Sequence, residues 1–566
     1  MVKEKKIDGL AWIVVISAPL VGIVISPTAS VDPINLPKLV LLVPLAMAAL
    51  FVILQRLRSL TSSISTIFLS VSILFFLDLL IVLFISGAPL GQQIFGMNGR
   101  NTGFLAYVSL LILMLAAYLS ADQQVFEKIS FGLLSLGTIS IVYGLMQHFG
   151  MDPVPWSNVN NPISTFLGNP NFSSSFFGIC ATATVAWMLK PSNSTAIRIF
   201  CGVSIVLYVY LILGSKSIQG LLVTGGGTLA VILIYVITNP KLARKLIVVP
   251  YLGLVLPLIV IVVLGTLKIG PLADYLYKIS VRQRGFYWMA ALKMMETHPF
   301  FGVGLDSFGD NYFKYRSDNA ALISPTVLSN SSHNVFLELG NNGGLPLFII
   351  HLTFVFLTIH SIVKYLQRNR SFNWAFAALV GAWLGYVAQC VISINQLGLA
   401  VWGWVLMGAI NGIAFKSRIK VEDNKSKTDS KVSAFRIKTS KKSLIKKNNS
   451  TAAIALGLLA GSVITFPAFI ADINFRNALQ SRSVETLISA ASAYPIDSVR
   501  SLQAVDILAG NNRIVEANAL LTTVLTNAPD FYNGWILKYK LLQANSPERE
   551  IAARKLLELN PRIKLE

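Results

Sequence analysis

Leu397-Gly-Leu-Ala-Val-Trp-Gly-Trp-Val-Leu-Met-Gly-Ala-Ile-Asn-Gly-Ile-Ala-Phe415 carries no charge, and Lys416 opens a strongly basic stretch directly after it. A helix rises about 1.5 Å per residue, so about 20 apolar residues cross a bilayer core of about 30 Å. Residues 416–447 then hold twelve Lys/Arg and three Asp/Glu, a local charge of +9. An uncharged run with a basic flank is the mark of a membrane span and its cytoplasmic side.

The pattern recurs in both directions. Thirteen spans are expected, at 10–28, 35–55, 65–86, 103–120, 127–147, 172–189, 197–213, 218–237, 246–265, 345–364, 373–391, 397–415 and 451–470. Of the 566 residues, 54% are hydrophobic and 13% charged, against about 25% charged in a soluble domain. Such a chain is neither a soluble enzyme nor disordered. Its formal charge of +21 lies mostly in short connections and one loop, so it does not make a nucleic-acid groove.

Basic residues orient the set. Lys3, Lys5 and Lys6 place the N-terminus in the cytoplasm, and the first apolar stretch is too long for a signal peptide alone. Alternate connections then carry Arg56 and Arg58, Lys128, Lys190 and Arg198, Lys241, Arg244 and Lys245, and Lys364, Arg368 and Arg370. The opposite side, expected to be outside the plasma membrane, is poor in Lys and Arg. It receives the loops 87–102 and 148–171, the long segment 266–344, and everything after residue 471.

The expected fold is all-α: a polytopic integral membrane protein with about 13 transmembrane helices and a small extracytoplasmic helical-repeat domain. Residues 1–265 form the N-terminal spans, 266–344 the outer segment carrying the site, and 345–415 further spans. Residues 416–450 form the basic cytoplasmic loop, 451–471 the last span, and 472–566 the outer tail. Residues 472–566 hold eleven basic and ten acidic residues, with apolar positions at helical spacing. The interval from Ala528-Pro529 to Asn560-Pro561 fits a tetratricopeptide-like period near 34 residues, with a plain helical bundle as the alternative. Cys180, Cys201 and Cys390 each lie in an apolar run without metal or redox spacing, and read as small buried hydrophobes.

Charged residues at span ends are the candidates for chemistry. Residues 283–297 fit an amphipathic helix at the membrane surface, stopped by Pro299 and the Gly302/Gly304 pair. Arg284 lies one turn before Trp288 on one face and suits bidentate contact with phosphate oxygens, or else anchors the helix among lipid headgroups. Arg282, Arg100 and Lys216 are the other cations on the outer side. His333 is placed at the start of a helix at the outer face, where an imidazole can take a proton near neutral pH; a structural histidine is the competing reading. Asn334 or Ser332 can cap that helix. Asn169 and Asn171 add amide groups in a turn. No Walker loop, GxSxG, HExxH or dinucleotide glycine pattern occurs. Neither a cofactor nor a metal is expected, so a leaving diphosphate needs cations to neutralise it.

Taken in order, these motifs resemble the O-antigen ligase/polymerase superfamily of bacterial membrane glycosyltransferases. The resemblance covers most of 30–415. It rests on Arg284-x-x-x-Trp288-x-x-Ala291-Leu292, then Pro299-x-x-Gly302-Val-Gly304, then His333-Asn334-x-x-Leu337-Glu338 with Gly340 and Gly343. Asp32-Pro33 to Leu36-Pro37-Lys38, Gly99-Arg100-x-x-Gly103 and Thr165-Phe-Leu-Gly168-Asn169-Pro170-Asn171 match more weakly.

The resemblance implies a metal-independent, inverting transfer of a glycan from undecaprenyl diphosphate to a glycan, lipid or protein acceptor. In it Arg284 would bind the diphosphate, His333 would orient or deprotonate the acceptor hydroxyl, and Arg100 would be a further charge near the donor. Lys216, Arg282, Asn169, Asn171, Asn334 and Glu338 complete the expected substrate-binding set. Lys216 departs from the family, which commonly has arginine in this turn; lysine keeps the charge and loses the fork.

Ligase, polymerase and protein O-oligosaccharyltransferase remain open on these grounds, and a lipid-linked sugar flippase is the alternative of another class. Membrane lipids, and a protein partner through residues 472–566, are the further partners expected; nucleic acid is not.

Overall fold

The computed structural model describes residues 8–56, 63–154, 156, 163–239, 244–429, 450–481 and 483–565. Among them it contains helices and no β-strand. The membrane part comprises α1 (Gly9–Ile23), α2 (Asn35–Leu54), α3 (Thr66–Ile85), the short α4 (Leu90–Phe95), α5 (Phe104–Ser120), α6 (Gln123–His148), α7 (Pro170–Met188), α8 (Thr195–Gly214), α9 (Ile218–Thr238) and α10 (Arg244–Thr266). The long segment folds as α11 (Ala273–Leu276), α12 (Ile279–Thr297), α13 (Phe308–Tyr315) and α14 (Asp318–Ile323). Then come α15 (Val335–Arg368), α16 (Trp374–Ile392), α17 (Leu397–Asp429) and α18 (Ser450–Ser481). The tail holds α19 (Val484–Ala491), α20 (Ser498–Gly510), α21 (Ile514–Asn527), α22 (Tyr532–Leu541) and α23 (Pro547–Leu559).

Each of the thirteen expected spans falls on one of these helices. Among the described residues, ten helices are long and apolar enough to cross a membrane: α2, α3, α6, α8, α9, α10, α15, α16, α17 and α18. The apolar α1 and α5 are shorter. α7 falls outside the ten; it buries Ser173, Ser174, Ser175, Thr182 and Thr184 against α8, α9 and α16. Large apolar side chains face outward on the spans, among them Phe84, Val206 and Leu254, as lipid contact requires. All backbone polar groups of a spanning segment must pair within it, which is why helices serve here.

Several boundaries differ from the sequence reading, each for a local reason. α1 ends at Ile23 because Val24 turns extended, and Lys38 Nζ donates to the freed carbonyls of Gly22 and Val24. α17 does not stop at Phe415: Lys416 Nζ donates to the carbonyls of Leu119 and Ala121 at the end of α5, and the helix runs on to Asp429. The rest of the expected basic loop, 430–449, lies outside the described residues. α15 begins ten residues before the expected span, with a kink at Gly344, where φ is +73°. α18 continues through residue 472 to Ser481, so the expected tail boundary falls inside a helix.

The kink in α15 is a docking point. Val303 N–H donates to Asn341 O, Gly304 N–H to Asn342 O and Leu345 N–H to Pro299 O. A Cβ on Gly344 would stand 2.5 Å from the Pro299 carbonyl oxygen, so only glycine allows both the left-handed turn and the contact. The Pro299–Gly304 stretch after α12 is thereby fixed to the helix that follows His333.

The last span is held by small residues. Gly457 and Gly461 of α18 face Ala48 and Pro44 of α2, and a Cβ on Gly461 would lie 2.4 Å from Pro44 Cα. Small residues four apart let membrane helices approach backbone to backbone. Above this contact Asp472 accepts from the N–H groups of Val31 and Asp32, and Arg476 donates to the carbonyls of Pro27 and Ser30. The tail helices pair in sequence, α20 with α21 and α22 with α23. The tail returns to the long segment: Tyr532 packs on Phe313 with centroids 4.5 Å apart, Arg562 pairs with Asp318, and Arg316 donates to Asn560.

The α2–α18 contact can be tested by overpacking. Gly461→Leu should cost about 1–3 kcal/mol of stability, read as a lowered thermal midpoint of the detergent-purified protein, whereas Leu459→Ala, at an outward-facing position, should leave it unchanged.

Candidate active site

One end of the bundle gathers the connections 24–34, 86–103, 149–154, 163–169 and 215–217, the segment 267–334, and the tail. A cavity of about 460 Å³ opens there between the start of α9, the end of α10 and the start of α12. Lys216, Lys278, Arg282 and Arg284 line it, and no acidic residue does. Two helix N-termini also reach it. Ile218 and Gln219 at the start of α9 and Lys278 and Ser280 at the start of α12 line it, which brings two positive dipole ends to the cavity. Nε of Arg282, Nε of Arg284 and the indole nitrogen of Trp288 are buried without a hydrogen-bond partner. Burial lowers the Arg284 pKa, as expected for a guanidinium without a counter-charge. Much of the remaining wall is apolar, with Leu222, Leu267, Phe286, Met289 and Ile392, interrupted by Asn171, Gln219 and Ser280.

The turn bearing Lys216 is tied in place from below. Its φ is +57°, uncommon for a residue with a Cβ. Ser217 Oγ donates to Asn171 Oδ1 at 2.8 Å, and Gly220 N–H donates to Ser174 Oγ at 3.0 Å. Asn171 therefore both lines the cavity and holds the Lys216 turn. Asn169 instead caps α7, accepting from the Asn171 N–H.

α12 starts four residues before the expected 283 and ends at Thr297, where Pro299 follows. One face, with Tyr287, Ala290, Ala291 and Met294, is buried against the long segment; Arg284 and Trp288 line the cavity together. Tyr287, three residues beyond Arg284, stacks on His333 with centroids 5.4 Å apart. His333 precedes the helix rather than beginning it. Asn334 is the N-cap of α15 and accepts from Phe336 and Leu337 N–H. The φ of His333 is +54°, and its N–H donates to Ser331 Oγ at 3.1 Å. Burial first, then the charges of Arg284 and Arg100, push its imidazole down to about 3. The ring is neutral at pH 7.

Arg100 comes near His333 but does not line the cavity. Its Nε lies 3.4 Å from Asp306 Oδ1, one Nη 3.7 Å from Glu338 Oε1, and the other donates to Asn330 O at 3.2 Å. All three charged side chains are almost fully buried. Asp306 Oδ2 also accepts from Met97 and Thr102 N–H. Glu338 Oε2 accepts from the Ser331 and Ser332 hydroxyls and the Ser332 N–H. Arg100, Asn334 and Glu338 thus shape the turn presenting His333.

Lys278, Tyr287 and Asp306 were absent from the sequence-derived set. Lys278 carries the signal that flagged Arg282, a cation on the side poor in them. Tyr287 and Asp306 acquire their roles only through contacts distant in sequence.

Residues 203–352 match the family model described as O-Antigen ligase; no curated protein matches the chain. The matched region contains Lys216, Arg282, Arg284, His333, Asn334 and Glu338, while Arg100, Asn169 and Asn171 precede it. The match spans 150 of the 566 residues; the ten helices of spanning length and character are those of a multi-pass membrane protein.

Removing one member of a buried ion network leaves its partners uncompensated. Arg100→Met should therefore destabilise the purified protein by about 3–5 kcal/mol, measured by thermal unfolding. An unchanged midpoint with lost donor binding would instead make Arg100 a substrate contact.

Proposed function

We propose that this protein transfers a glycan from an undecaprenyl-diphosphate carrier to an acceptor hydroxyl on the outer face of the plasma membrane, as an O-antigen or polysaccharide ligase does. The observation that carries the reading is the acid-free cationic cavity, half walled by apolar side chains, beside a neutral buried histidine. A lipid diphosphate has matching halves: two phosphates for Lys216, Lys278, Arg282 and Arg284, and an isoprenoid for the apolar wall.

The acceptor oxygen attacks the anomeric carbon as the bond from that carbon to the diphosphate oxygen breaks. The bonding pair leaves with the diphosphate, and the acceptor proton passes to an imidazole nitrogen of His333. A single displacement inverts the anomeric centre. The four cations and two helix N-termini stabilise the growing charge on the leaving group, so charge neutralisation comes from the protein itself. Arg284, forked and buried, is the principal contact; Lys216 offers a point charge only. A polymerase or a protein O-oligosaccharyltransferase would use the same centre with another acceptor, and the tail, read as a tetratricopeptide-like array, is the place to recruit that acceptor. A flippase would share the cationic cavity but has no use for a proton acceptor beside it.

Arg284→Ala and His333→Ala should each lower transfer from purified lipid-linked glycan to acceptor on the order of 10²–10³-fold while membrane insertion persists. Wild-type turnover in either variant would sink the assignment, and lipid translocation without product would favour the flippase.

The pH dependence has a defined sign. Protonated His333 cannot take the acceptor proton, so the rate falls as pH drops through its pKa. In the free protein that value is pushed down to about 3. Bound diphosphate offsets the field of Arg284 and raises it. The acid limb of kcat, which reports the complex, should therefore lie at higher pH than that of kcat/KM, which reports the free enzyme. Coincident limbs would argue against His333 as the base.

A further inference from the structure

We propose that a second cleft, between the tail and the membrane part, is a binding subsite for the acceptor saccharide, and that it takes neutral or amino-bearing sugars in preference to anionic ones. The inference rests on the transfer reading above. The cleft has a volume of about 250 Å³ and is bounded by the α4 region, the start of α2, and the 494–500 turn of the tail. Its volume is below the usual range for a drug-sized ligand, so it holds a short stretch of a chain and not a whole polymer.

Its chemistry is opposite to that of the cationic cavity. Asp32, Asp472 and Asp497 line it, with Arg500 as the only cation. Arg500 is spent on the carbonyls of Ala493 and Pro495. Asp32 spends both oxygens on the N–H groups of Ile34, Asn35 and Leu36, while Asp472 and Asp497 each engage one oxygen with backbone N–H groups. An anionic ligand therefore meets negative charge here, and sugar hydroxyls or an ammonium meet the second oxygens of Asp472 and Asp497.

Two further features point to a saccharide. Asn101 is 6% exposed and lines the cleft, and its Oδ1 is buried without a hydrogen-bond partner. A buried acceptor left in this state is costly. Asn101 Nδ2 reaches Phe95 O at a long 3.5 Å, so a small rotation of the side chain offers the oxygen to a ligand hydroxyl in the cleft. Its φ of +55° is a strained geometry of the kind found at ligand clamps. Across the cleft, Tyr494 is 68% exposed, edge-on to Phe95 at 6.3 Å. An open aromatic face beside amide and carboxylate groups suits a sugar ring, which has an apolar C–H face and a polar rim.

The position fits an acceptor. Asn101 follows Arg100, which reaches Glu338, and Glu338 holds the Ser331–Ser332 turn before His333. The cleft is thus tied through one buried network to the turn that presents His333. The tail thereby gains a role in recognition, since Tyr494 and Asp497 belong to it.

The test uses the full-length protein in nanodiscs, with saturation-transfer NMR on maltotetraose, chitotetraose and its de-N-acetylated form, and an oligogalacturonate as the anionic control. Two variants preserve the fold by design: Tyr494→Ala removes an exposed ring, and Asn101→Gly suits a positive φ. At least one neutral or amino probe should bind wild type, at least tenfold more weakly to each variant, and the oligogalacturonate should not bind. The apparent KM for acceptor should rise in step, with the KM for lipid-linked donor unmoved. Absence of binding by every neutral and amino probe, equal binding by the variants, or tighter binding of the oligogalacturonate overturns the subsite. Arg284→Ala separates the two readings, because it should abolish transfer and keep saccharide binding. Saccharide binding with the expected losses in a wild-type protein that transfers nothing would overturn the ligase reading and leave the subsite standing.

Discussion

Arg100 between Asp306 and Glu338 is the interaction on which the site-bearing end of the protein depends. It joins three stretches far apart in sequence: the Met97–Thr102 turn, the loop after Gly304, and the turn ahead of α15. Burying three charges costs desolvation, and such a network is weak evidence for stability on its own. Its value here is geometric. The carboxylate of Asp306 fixes the Arg100 turn by two backbone N–H groups, and Glu338 fixes the serines that set the backbone of His333. Loss of any corner frees the histidine.

Around this centre the charges are sorted by side and by partner. Cations on the other end of the bundle meet span termini, as Lys416 does with Leu119 and Ala121. Cations in the cavity have no acid beside them, and the neighbouring cleft has acids with one engaged arginine. The two recesses therefore favour opposite ligand charges within one molecule. Strain follows the same map: Asn101, Lys216, Asp306 and His333 all take positive φ. Such backbone persists only where the surroundings over-determine it, which is a property of functional sites.

The tail is continuous with this arrangement. α18 carries it out of the bundle without a break, locked to α2 by Gly457 and Gly461 and to the α1–α2 loop by Asp472 and Arg476. Ring contacts then run from Tyr532 to Phe313, Tyr312, Tyr287 and His333. A domain joined by a rigid helix and by packed rings can influence the histidine turn mechanically, beyond any part in recruiting an acceptor.

Hydropathy was enough to place each expected span on a helix, ten of them long and apolar enough to cross a membrane, because a bilayer imposes length and apolarity locally, residue by residue. The same local logic marked Lys216, Arg282 and Arg284 as cations on the side poor in them, and the three line one cavity. It placed the end of α12 at Pro299, since proline and glycine act on their own turn. What it did not reach was pairing. Arg100 reads as a free cation in sequence because Asp306 and Glu338 lie more than 200 residues away. Asn169 reads as a ligand-binding amide until the helix it caps fixes its oxygen, whereas for Asn334 the cap was already one of the two readings. The extent of α17 and the continuity of α18 depended on Lys416 and Asp472 finding carbonyls and N–H groups on other elements. Composition and periodicity determined the all-helical, multi-span architecture. Only the tertiary structure decided which charges are neutralised and which stand open, because that depends on contacts between residues that no local period relates.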